Sequence, residues 1–110
     1  MPMGVIKMAP RKTKVGELQA NQKNMVPIVL KNTGDASLKV SRIYSKKFKV
    51  DYFNCGGKNP KTISAGESLA INLPLQPKKT GRFLDIILIF SDARNDIGKG
   101  YKGVLTGKAK

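Results

Sequence analysis

Histidine is absent from this 110-residue chain, and so is tryptophan. Without histidine the chain lacks the usual general base near neutral pH and the commonest metal ligand. A lone cysteine, Cys55, excludes an intrachain disulfide, and one thiol without histidine cannot build a zinc site. Aromatic residues amount to 6%, too few for a platform on which nucleobases stack in series. Acidic residues are scarce: 7 against 21 lysines and arginines leave a net charge of +14. A field of that sign favours anionic partners and solubility, and says nothing about fold. The excess runs along the whole chain, with 11 basic and 2 acidic groups in residues 1–50 and 10 and 5 in residues 51–110. It is therefore not a detachable tail. No apolar run approaches the roughly 18 residues that span a bilayer, and the first ten residues hold no signal-peptide core. No transmembrane segment is expected. A soluble chain without an address signal fits a cytoplasmic protein and the mature form of an envelope or periplasmic one equally well. Walker-type, Gly-x-Gly-x-x-Gly and Gly-x-Ser-x-Gly patterns are missing too.

What is present is the punctuation of an all-β protein, 11 Gly and 6 Pro at intervals with short apolar runs between them. No window keeps helical apolar spacing for three turns. Residues 5–8 and 12–15 read as extended pieces divided by Pro10, an N-terminal edge segment over residues 1–11. Val26, Ile28 and Leu30 alternate with Pro27, Val29 and Lys31 up to a turn at Asn32, Thr33, Gly34 and Asp35, where Gly34 is expected to take positive φ. Leu38, Val40 and Ile43 share a face only if a bulge falls near Ser41 and Arg42. Phe48, Val50 and Tyr52 predict another half-buried strand, followed by a loop at residues 54–60. Leu69, Ile71, Leu73 and Leu75 alternate cleanly before Pro77, with Pro74 marking an edge. Gly81 opens the longest strand, residues 82–91, and a last strand follows at Tyr101–Ala109. Seven or eight short strands at this spacing predict one antiparallel β-sandwich domain over residues 1–110.

Several pieces in this order match a known pattern: Lys14-Val15-Gly16-Glu17; Val29-Leu30-Lys31-Asn32-Thr33-Gly34-Asp35; Leu38, Val40 and Ile43. Further along come Ile63-Ser64-Ala65-Gly66-Glu67-Ser68, Leu75-Gln76-Pro77 with Gly81, Ile87 and Ile89 with Ser91-Asp92, and Leu105-Thr106-Gly107. Over residues 12–109 the chain resembles the ASH-type immunoglobulin-like domains of Hydin and abnormal-spindle proteins and related bacterial domains. The resemblance implies an immunoglobulin-like sandwich, a role in scaffolding and protein binding, and no catalytic residues or cofactor. Some bacterial relatives carry a Cys-Gly-Cys where this chain reads Asn54-Cys55-Gly56-Gly57, so a function needing paired thiols does not carry over.

Family spacing points Phe83, Ile87 and Ile89 into the core. The opposite face then carries Leu84, Ile86, Leu88 and Phe90, joined by Val104, where a wet outer face would be polar. Such a row is either a contact surface or a strand covered by lysine stems or the N-terminal segment. The second candidate surface is the basic group Lys39, Arg42, Lys46, Lys47 and Lys49. An acidic protein, a glycan or nucleic acid would each satisfy those charges. Asp92, Asn95 and Asp96 supply too few ligands for Ca²⁺ and read as a hairpin loop; Cys55 reads as a small hydrophobe in a loop. The expected function is a non-enzymatic binding or scaffolding module, or a small subunit of an assembly, with a protein partner or self-association. The alternative is a nucleic-acid-binding protein using the basic surface.

Overall fold

The computed structural model describes residues 4–93 and 100–110. Among the described residues nine strands follow one another: β1 (Ile6–Met8), β2 (Lys12–Leu18), β3 (Asn24–Asn32), β4 (Leu38–Ser45), β5 (Val50–Asn54), β6 (Lys61–Ile63), β7 (Ser68–Leu75), β8 (Gly81–Ser91) and β9 (Tyr101–Ala109). They form two sheets. The smaller runs β1-β3-β7; the larger runs β2-β9-β8-β4-β5, with β6 paired to the start of β4. No helix among the described residues is long and apolar enough to cross a membrane.

Period-two side chains decide which surface each strand buries. On the smaller sheet Val26, Ile28 and Leu30 of β3 face inward with Ile71, Leu73 and Leu75 of β7, and Ile6 and Met8 of β1 join them. From the larger sheet Leu38, Val40 and Ile43, then Ile87, Ile89 and Leu105, close the core at full burial. At about 1.5–3 kcal/mol per buried large aliphatic side chain, this seam between the sheets is the main source of stability. The bulge expected on β4 is present. Its register to β8 slips between Val40 and Arg42, which returns Ile43 to the inner face.

The sandwich expected from the sequence is thus observed, with four differences of detail. Two three-residue strands, β1 and β6, bring the number to nine. The β2–β9 pair is parallel rather than antiparallel. The reason is local: the N-terminal edge segment divides at Pro10, so β1 stays on the smaller sheet while the chain continues in the same direction onto the edge of the larger one. Residues 46–49 are a turn, not the start of the strand expected from Phe48, Val50 and Tyr52. Lys49 takes φ 57° and its N–H donates to the Ser45 carbonyl at 2.9 Å. Phe48 still reaches apolar surroundings because the turn folds its ring back onto Phe83, with 5.8 Å between centroids. Gly34 is not among the described residues with positive φ. The Asn32 side chain closes that turn instead, accepting from Gly34 N–H at 3.0 Å while its amide donates to the Ala36 and Ile63 carbonyls.

Candidate functional site: the outer face of the larger sheet

Strand β8 lies between β9 and β4, so its two faces have different fates. Asp85, Ile87 and Ile89 are fully buried, whereas Leu84 is 50% exposed and Ile86, Leu88 and Phe90 are half-buried. Register extends this row sideways. Ile86 lies opposite Val104, Leu88 opposite Lys102 on one side and Tyr44 on the other, and Phe90 opposite Arg42. The four residues expected to face outward therefore do so, on one continuous apolar stripe that includes Val104 and Tyr44.

What fixes this orientation is the inward phase of Asp85. Its carboxyl group accepts from Ser45 Oγ at 2.9 and 3.0 Å, from Tyr52 Oη at 2.6 Å and from the Lys47 N–H at 3.2 Å. A fully buried carboxyl group without such donors would be strongly unfavourable. Turning β8 over would expose it and leave the Ser45 and Tyr52 hydroxyl protons buried without the Asp85 acceptor. Burial and the bond to Asp85 raise the Tyr52 pKa well beyond the ordinary phenol range.

The stripe is covered at one end and open at the other. The Arg42 guanidinium lies 4.9 Å from the Tyr44 ring centroid and 5.5 Å from that of Phe90, held there by a 2.7 Å pair with Asp51. That hydrogen bond holds the Asp51 carboxyl below the usual aspartate range. From Val5 onward the N-terminal segment lies on the smaller sheet or at the edge of the larger one, not over the stripe. The Leu84 end carries no such cover among the described residues. Lysines border it: Lys12 and Lys14 of β2 sit in register with Val104 and Thr106, and Lys102 and Lys108 flank them on β9. Of these, Lys102 and Lys108 escaped the sequence reading. Their signal is the period-two phase of Lys102, Val104, Thr106 and Lys108, which places all four opposite the buried Leu105 and Ala109.

The basic group on and after β4 is not brought together as one patch. Lys39 is exposed at the start of β4, its N–H bonded to Asp92 Oδ1 at 2.7 Å. Lys46, Lys47 and Lys49 lie beyond the other end, in the turn at 46–49. About 20 Å of extended strand separates the two ends, and Arg42 between them is engaged with Asp51 and two aromatic rings. Cys55 is partly buried in the β5–β6 loop, where its sulfur accepts from Gly57 N–H at 3.4 Å. Of the three residues weighed for Ca²⁺, Asn95 and Asp96 lie outside the described residues. Among the described residues no cluster of three His, Cys, Asp or Glu side chains could hold a metal ion.

Comparison with known families and with curated protein sequences returns no match. Solved structures do match. The ASH/PapD-like domain 7 of human CEP192 superposes over 96% of this chain and 84% of its own, with TM-score 0.59 and 10% identity. The fold is an immunoglobulin-like β-sandwich, similar to that of this ASH/PapD-like domain. A protein of unknown function from Porphyromonas gingivalis W83 matches at TM-score 0.59 and 16% identity. The match covers 97% of this chain and 46% of that one, so the chain spans under half of that relative's length. WR4, an MSP family member of C. elegans, matches over 96% of this chain and 97% of its own at TM-score 0.51 and 8% identity. At these identities the likeness concerns the fold alone.

Proposed function

We propose that this ASH-type domain is a non-enzymatic protein-interaction module whose contact surface is the outer face of the larger sheet, open at Leu84 and continuing through Ile86 and Leu88. The observation that carries the proposal is the half-exposed Leu84 at the head of an unbroken apolar row on a strand whose other face is buried at Asp85, Ile87 and Ile89. An outward strand face is ordinarily polar, and a contiguous apolar one marks a contact site. The lysine border, Lys12, Lys14, Lys102 and Lys108, selects for a partner with an acidic rim. The same charge opposes stacking of two copies, each carrying +14. A different protein is therefore favoured over self-association.

Leu84→Asp combined with Leu88→Asp places two carboxylates in the stripe without touching the core. The double variant is expected to keep the wild-type circular dichroism and to lose a protein that co-purifies with the wild type at moderate salt. Unfolding of the double variant, or undiminished capture by it, argues against the face. Nucleic-acid binding, the second reading, rests on the lysines that border the stripe. It separates by salt response: binding through phosphates falls steeply between about 50 and 200 mM salt, whereas an apolar contact holds.

A further inference from the structure

At one end of the sandwich, away from the Phe90 end of the stripe, the turn at residues 46–49 and the β7–β8 connection enclose a pocket of about 630 Å³. Pockets that take small ligands or single anchoring side chains have volumes of a few hundred to about 1,000 Å³. One part of its lining is apolar, formed by Phe48, Val50, Tyr52, Pro77 and Phe83, and the rest is polar. Val50 is 47% exposed on a strand, and Phe48 and Phe83 are only partly buried. Four cations, Lys47, Lys78, Lys79 and Arg82, line the same pocket, and no acidic residue does. Lys47 thus belongs with the β7–β8 connection rather than with the Lys39 end of β4.

Both walls are tied down before any ligand arrives. Lys47 N–H donates to buried Asp85, Phe48 N–H to Ser45 Oγ at 3.0 Å, and Lys49 N–H to the Ser45 carbonyl. On the other side Asn21 N–H holds the Pro77 carbonyl at 2.6 Å. A site fixed in this way loses little conformational freedom on binding.

We infer that this pocket is a second binding site, which takes an acidic segment of a partner protein with one large apolar side chain. The apolar side chain packs on Phe48, Val50 and Phe83, and the flanking carboxylates pair with Lys47, Lys78, Lys79 and Arg82. A second copy of this chain does not fit, because its seven acidic residues are scattered singly through a basic sequence. Phosphates alone would leave the apolar part of the lining unfilled. The Phe48 and Phe83 rings pack on each other at 60° rather than side by side as a stacking surface.

The probe is a short fluorescein-labelled peptide with glutamates on both sides of a single leucine, titrated by anisotropy and by amide chemical shifts. Saturable binding is expected, with shifts at residues 46–50 and 76–83. Replacing the leucine by alanine is expected to weaken binding about tenfold or more. Lys78→Glu with Lys79→Glu, both in an exposed turn, should weaken it to a similar degree; Lys78→Arg with Lys79→Arg should not. Leu84→Asp with Leu88→Asp should bind the peptide as the wild type does, so the pocket and the outer face stand or fall separately. Equal affinity for the leucine and alanine peptides overturns the inference, as do shifts spread over lysines throughout the chain. A single-stranded oligonucleotide that shifts the pocket amides while the peptide does not overturns it in favour of nucleic acid.

Discussion

A carboxyl group on the inner face of a central strand is costly unless donors surround it, and Asp85 has Ser45, Tyr52 and a backbone N–H from the 46–49 turn. The arrangement joins β4, β5 and β8 by side chains as well as by the ladder. Tyr52→Phe removes one donor from a fully buried acceptor and is expected to destabilise by about 1–3 kcal/mol. The same change should alter the response to alkali. Because the folded Tyr52 pKa is raised, the folded state holds its phenol proton above pH ~10 while the unfolded chain releases it. Wild-type stability therefore falls as pH rises past that point, by up to about 1.4 kcal/mol per unit from this residue. Urea unfolding between pH 9 and pH ~11 should show a steeper fall for the wild type than for Tyr52→Phe. Equal slopes would mean that Tyr52 ionises in the folded protein as readily as in the unfolded chain.

Strand β9 shows how far an element could be read and where reading stopped. Its bounds, Tyr101–Ala109, follow from the alternation of Gly103, Leu105, Gly107 and Ala109 with polar or β-branched residues. Nothing in the sequence says why two of the inward positions are glycine. A Cβ on Gly103 would collide with the Met8 sulfur, and one on Gly107 would lie 2.5 Å from Val15 Cγ2 and 2.8 Å from the Gly16 carbonyl. Both are closures against N-terminal strands that arrive from far away in sequence. Gly107→Ala is expected to push β2 away from β9 and cost about 1–3 kcal/mol. Val15→Ala should rescue only part of this, because the backbone carbonyl remains. Amide exchange in residues 12–18 should speed up before that in β8; uniform acceleration would instead mean that the whole sandwich loosens.

Strand β4 was legible for a different reason: the one-residue slip from Val40 to Ile43 breaks a period of two in a way only a bulge repairs. β5 was misread because Phe48 sits two residues before Val50 and imitates its phase, although a turn supplies its contact with Phe83. The orientation of β8 could not come from its own apolar run. An inward Asp85 has no explanation in the strand's own pattern until Ser45 and Tyr52, 40 and 33 residues earlier in the chain, are seen around it. Likewise the end pocket joins a turn after β4 to one after β7, a pairing that no local pattern announces.

At the scale of the whole molecule, the dominant quantity is charge on a small body. The principal extents are 47 × 26 × 20 Å, and +14 remains after every acidic residue, the paired Asp51 and Glu17 included, has been counted. Near 10 mM salt the screening length is about 30 Å, greater than the two shorter dimensions, so cations on opposite faces repel through the folded protein. At several hundred millimolar it falls to a few ångströms, and only neighbouring charges interact. Unfolding spreads the same charges over a larger volume and relieves the repulsion, which lowers stability at low salt. The denaturation midpoint in urea should therefore rise as NaCl increases from about 10 mM to 500 mM, most steeply in the lower half of that range. The opposite trend would mean that the native ion pairs outweigh the excess positive charge. Lys23→Glu with Lys58→Glu, both exposed and outside the end pocket, lowers the net charge by four and should flatten the rise without changing the midpoint at high salt. That outcome would tie the salt dependence to net charge rather than to a specific anion site.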